Sequence, residues 1–151
     1  MSYSKTALDQ LEGGQIDDFK KSFQQALDHD SDDLLYSLAE ELYSLGFSNY
    51  SNTIYEKLFK KYPNDDGLKI NLAELAIDDD QDDKALNYLS QVSPQSDEYV
   101  RSLMVAADLY QTQGMFEISE QKLLEAQKLA PDEDVIKFAL AEFYFTTRNY
   151  R

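Results

Sequence analysis

The stretch "LAELAIDDDQDDKAL", Leu72 to Leu86, sets a small helix-forming tripeptide beside five aspartates crowded into Asp78 to Asp83. What it means depends on the chain one fixed interval to either side. Leu72-Ala73-Glu74 has counterparts at Leu38-Ala39-Glu40, Ala106-Ala107-Asp108 and Leu140-Ala141-Glu142, at one constant spacing throughout. Gly46 and Gly114 lie two such steps apart, and so do Pro63 and Pro131. A fixed period of this length, in the mid-thirties, marks a repeat architecture.

Two helical patterns fill each period. The first is expected over residues 33–45, 67–78, 98–112 and 134–147, and the second over 17–29, 49–61, 83–92 and 116–129. A short opening helix is expected near Ser4–Glu12. Gly46 and Gly114 fall where a first helix must end, and glycine enters the left-handed conformation there without a Cβ penalty. Pro63 and Pro131 follow second helices, which a proline cannot continue. Asp80 stands midway between the two glycines, one period from each, so "DDDQDD" reads as the turn of one repeat. Aspartate tolerates the left-handed region better than most residues. Asp82 and Asp83 then favour the positive end of the next helix. A calcium loop would need Gly at the sixth place and Glu at the twelfth, where Asp83 and Leu89 stand instead. The repeat around Asp80 lacks both Gly and Pro punctuation and is expected to be the softest.

The totals narrow the function classes. The 151 residues carry 14 Lys and Arg against 29 Asp and Glu, a net charge of −15. Such a chain repels nucleic acid and anionic membranes, which require a basic patch. The absence of cysteine excludes disulfides and thiolate metal sites. No signal peptide or apolar run of membrane-spanning length is visible, so a cytoplasmic setting is expected.

The chain resembles the tetratricopeptide repeat family. The pattern is a small residue in the first helix, Gly at the turn, a ladder in the second helix and Pro after it. The second-helix ladder reads Phe19/Phe23/Ala26, Ser51/Tyr55/Leu58, Ala85/Leu89/Val92 and Ser119/Leu123/Ala126. The resemblance implies an all-α, right-handed α-α superhelix (solenoid) of helix-turn-helix repeats. They run approximately over 1–31, 32–65, 66–99 and 100–133, with a partial fifth at 134–151. The break inside a repeat suggests the N-terminal part of a longer protein. Arg148 to Arg151 are expected to form a turn and the start of a further helix. Leu140, Ala141 and Tyr144 are expected on the face which that helix would cover, available for self-association.

In the family, first helices line the concave wall, and the residue after the packed small one faces the groove. Carried onto this sequence, that face reads Tyr36/Glu40/Tyr43, Ile70/Glu74/Ile77, Met104/Asp108/Gln111 and Phe138/Glu142/Phe145. One column is acidic and two are mostly apolar. Glu40, Glu74, Asp108 and Glu142 have no Lys or Arg three or four places away in sequence. Spaced about 10 Å apart, such charges repel by only roughly 0.4 kcal/mol in water, so the column persists with or without a function. The functional reading is a scaffold for a basic, partly apolar protein or peptide. Alternatives are an adaptor whose active part lies beyond residue 151, and a self-associating structural module.

No enzyme is visible. The single histidine, His29, sits at a helix end, where a cation complements the dipole. No second His or Cys completes a metal or catalytic site, and no phosphate loop or nucleophile elbow appears. No cofactor is expected.

Overall fold

The computed structural model describes residues 2–148. The described residues form α-helices: α1 (Tyr3–Glu12), α2 (Ile16–His29), α3 (Asp32–Ser44), α4 (Ser48–Lys61), α5 (Asp66–Asp78), α6 (Asp82–Ser90), α7 (Tyr99–Thr112), α8 (Phe116–Leu129) and α9 (Asp134–Arg148). The boundaries follow the periodic reading closely, with one departure at the end of α6. Arg148 still belongs to α9; the turn expected over the last residues otherwise lies outside the described residues.

Each turn inside a helix pair is built the same way. Gly14, Gly46 and Gly114 have φ of +76°, +89° and +76°, and Asp80 stands at +56° in the remaining one. At Gly46 the N–H donates to the Tyr43 carbonyl, and the next N–H donates to that of Leu42. Asp80 and Gln81 repeat this on Ile77 and Ala76. This pair of hydrogen bonds closes the helix and satisfies two of its free carbonyls. A Cβ at Gly46 or Gly114 would meet nothing within 4 Å, so the backbone angle alone selects glycine there. Gln81 Nε2 holds the Asp79 carboxylate at 2.6 Å, and Gln113 Nε2 holds that of Asp82 at 3.1 Å. Amides therefore engage two of the five aspartates.

The chain divides into two compact units, Met1–Asn64 and Asp65–Arg151. In the first, α1 pairs with α2 and α3 with α4. Phe19, Phe23, Leu35, Leu38, Leu42 and Ile54 are buried there, and Tyr50 presents its ring edge-on to Phe19 and Phe23 at 4.9 and 5.0 Å. The Asp30 carboxylate accepts from the Ser4 N–H at 2.7 Å and the Ser4 hydroxyl at 2.6 Å, which fixes the start of α1. Lys57 Nζ donates to the Leu27 carbonyl, a cation on a helix C-terminus. Asp32 accepts from Lys61 at 2.8 Å and from the Tyr62 hydroxyl. The Lys61 bond, then that of Tyr62, holds the Asp32 carboxyl below its ordinary range.

The second unit contains α5 to α9. One core cluster joins Ile70, Ala73, Ala85, Leu89, Val92 and Leu109, and another joins Leu103, Leu123, Ile136, Leu140 and Phe143. Among the small residues that set the period, Ala39 and Ala107 are points of close helix approach. Ser119 Oγ donates to the Ala107 carbonyl at 2.7 Å, and within the first unit Ser51 Oγ donates to that of Ala39 at 2.7 Å. Ala85 fills the corresponding place on α6, completely buried and with no hydroxyl to satisfy.

The expected helix over 83–92 ends early, at Ser90. Val92 turns into the core instead, and Lys69 on α5 donates to the Gln91 carbonyl at 3.2 Å. Lys69 is itself buried and paired with Asp66 at 2.9 Å. Nothing in the sequence signals this anchor, because Lys69 and Gln91 meet only once α5 and α6 are packed.

Candidate partner-binding face

Each first helix places its three face residues at i, i+4 and i+7, which share one side of a helix. In the first unit, Tyr36 is half-buried with its ring edge-on to Tyr55 at 5.6 Å, while Glu40 and Tyr43 are exposed. On α5, Ile70 has no exposed surface and belongs to the core, so it offers a partner nothing. Ile77 is partly buried against the same cluster. The helical periodicity that places Ile70 beside Glu74 could not show how far the neighbouring helices would close over it.

Glu74 differs from the other three acids. Arg101 on α7 places a guanidinium nitrogen 3.4 Å from its carboxylate and 2.8 Å from Asn71 Oδ1. A second guanidinium nitrogen of Arg101 lies 3.6 Å from Glu98. Glu74 is therefore neutralised by a pairing that a search three or four places along one helix misses. The available signal was the residue one repeat further on and two helical turns back. For Asp108 the residue in that place is Val135, which offers no charge.

Asp108 and Glu142 are brought together. With Met104, Gln111, Ala139 and Leu123 they line a cleft of about 250 Å³ between α7, α8 and α9. Neither carboxylate has an ion pair among the described residues. Phe138 and Phe145, on the same side of α9, are 76% and 75% exposed. The cleft is smaller than the roughly 300 Å³ at which small-molecule sites begin, a size suited to one long side chain. Leu140 packs inward with Leu103 and Phe143, so it is not on an open end face as expected. Ala141 and Tyr144 are exposed and border a surface hollow with Phe145 and Arg148. Among the described residues there is no cluster of three or more His, Cys, Asp or Glu placed to hold a metal ion, and no helix long and apolar enough to cross a membrane.

These helix pairs, their shared turn chemistry and their period place the molecule among helical-repeat proteins. A family model described as the ARM repeat of tetratricopeptide repeat protein 21 matches residues 4–114, and one described as YpiA-like tetratricopeptide repeats matches residues 111–151. The chain belongs to the tetratricopeptide repeat family. It is 40% identical over 122 residues to the TPR repeat-containing protein YpiA of Bacillus subtilis (strain 168), covering 81% of this chain but 28% of that relative. Among solved structures it resembles YrrB, described as a TPR protein with an unusual peptide-binding site, with a TM-score of 0.70 and 18% identity over 92% of this chain and 73% of that one. It also resembles the APC/C hetero-tetramer Cut9–Hcn1, with a TM-score of 0.66 and 16% identity over 97% of this chain and 30% of the other. At these identities the likeness establishes the fold class, an all-α helix-turn-helix solenoid. Proteins of the family are in general non-catalytic scaffolds that mediate protein–protein interactions.

Proposed function

We propose that this chain is a protein-interaction module whose second unit takes a basic side chain from a partner between Asp108 and Glu142, with apolar neighbours of that side chain resting on Phe138 and Phe145. The carrying observation is that two carboxylates without cationic partners line one side-chain-sized cleft beside two largely exposed phenylalanines. A Lys or Arg threaded there gains charge-assisted hydrogen bonds, while exposed aromatics supply the burial that interfaces favour. Met104 and Gln111 complete the lining. In the first unit Tyr36, Glu40 and Tyr43 share one side of α3, and in the second Glu74 and Ile77 share one side of α5, each a separate contact surface for such a partner. Glu74 is already matched by Arg101, and Ile70 drops out. A cytoplasmic protein or peptide partner of net positive charge fits this surface. An adaptor role within a longer protein is compatible with the 28% of YpiA that the chain spans.

The test is fluorescence anisotropy with two labelled peptides of equal length, one alternating Lys and Leu and the other alternating Glu and Leu. The lysine peptide binds saturably and loses affinity as salt rises. Asp108→Lys with Glu142→Lys weakens it at least about tenfold, as expected when charge-assisted bonds are replaced by repulsion. Equal binding of both peptides, or indifference to the double variant, overturns the proposal.

A further inference from the structure

The second helices α2, α4 and α8 have 14 residues each, whereas α6 has 9. The shortfall is about 7.5 Å of helix at 1.5 Å per residue. On the side of α7 that faces α6 and α8 there is a cleft of about 440 Å³, within the range of ligand sites. Its walls are mainly apolar, from Leu86 and Leu89 on α6, then Val92, and Leu103 and Ala106 on α7. The face of α7 that lines it lies about 150° round the helix from Met104, Asp108 and Gln111, at 100° per residue. It is separate from the partner-binding face.

The charge of this cleft is opposite to that of the molecule. No Asp or Glu lines it, and its one ionic group is the half-buried Lys122 of α8. Lys122 has no ion pair among the described residues, although acids outnumber bases 29 to 14 in the chain. Tyr99, which also lines the cleft, donates its hydroxyl to Glu125 at 2.9 Å, and that carboxylate neither lines the cleft nor pairs with Lys122 among the described residues. An apolar trough ending in one unpaired cation suits a ligand with the reverse arrangement.

We propose that this cleft binds a small amphiphilic carboxylate, with its hydrocarbon chain laid across Leu103 and Ala106 and its carboxylate on Lys122 Nζ. Octanoate, octanol and octylamine share one chain and differ in the head group, so titration calorimetry with all three isolates the role of the charge. Octanoate binds with one-to-one stoichiometry and more tightly than octanol or octylamine. Lys122→Met lowers octanoate affinity about tenfold, the scale of one charge-assisted hydrogen bond, and leaves octanol unchanged. Ser90→Trp, at the exposed rim where α6 stops, reduces binding of all three by obstructing the cleft. Circular dichroism confirms that both variants stay helical. Asp108→Lys with Glu142→Lys leaves octanoate binding intact, which separates this site from the peptide face. Octanoate binding no tighter than octanol, or unaltered by Lys122→Met, overturns the assignment.

Discussion

The guanidinium of Arg101 reaches back from α7 to Glu74 on α5, lying 3.4 Å from its carboxylate while donating to Asn71 at 2.8 Å. This contact ties the two helices together and neutralises Glu74. Both side chains are about a third exposed or more, so solvent screens the ion pair, and the hydrogen bond to Asn71 carries more of the effect. Arg101→Met is expected to cost about 1 kcal/mol by urea unfolding. Because it uncovers Glu74, it should also strengthen binding of the lysine peptide. Weaker peptide binding would show that Arg101, rather than the acids, contacts the ligand.

Asp80 is the single non-glycine with positive φ among the described residues. Its place in the turn is shared by Gly46 and Gly114, where no steric contact forbids a side chain. Asp80→Val should therefore lower stability by at least about 1 kcal/mol, since a β-branched residue is an outlier in that region. Asp80→Gly should be neutral or stabilising by up to about 1 kcal/mol, because it relieves the backbone and removes one of five crowded acids. Thermal unfolding that ranks valine level with aspartate would mean the turn has another geometry in solution.

Asp66 and Lys69 form the least exposed ion pair among the described residues, with side chains 14% and 10% exposed. Burial alone would raise the Asp66 carboxyl, but hydrogen bonds from Lys69 and Ser96 outweigh it and hold the group below its ordinary 3.8. A carboxyl lowered on folding stabilises the native state above its unfolded value and loses that contribution as pH falls through its folded value. The pair therefore contributes fully above the ordinary 3.8 and is lost in stronger acid. Asp66→Asn should cost about 3 kcal/mol at neutral pH by stranding the Lys69 ammonium, and should flatten the acid limb. Adding Lys69→Met should recover most of that loss. An unchanged acid limb in Asp66→Asn would assign the pH dependence elsewhere, with the half-buried Asp32 and its Lys61 and Tyr62 partners as the next candidate.

The sequence alone determined the helices, their turns and their period, because those rest on interactions between near neighbours in the chain. The left-handed closures at Gly46, Asp80 and Gly114 and the small residues Ala39, Ala73 and Ala107 are local features that recur once in every repeat. It also placed Asp108, Glu142, Phe138 and Phe145 on helix faces, since helical geometry fixes which residues share a side. Only the tertiary structure decided that Ile70 is covered, that Leu140 points inward, that Arg101 answers Glu74 and that Lys69 meets the shortened end of α6. Each of these depends on the distance between helices far apart in the chain, which depends on how side chains from several repeats pack together. No pattern confined to one helix carries that information.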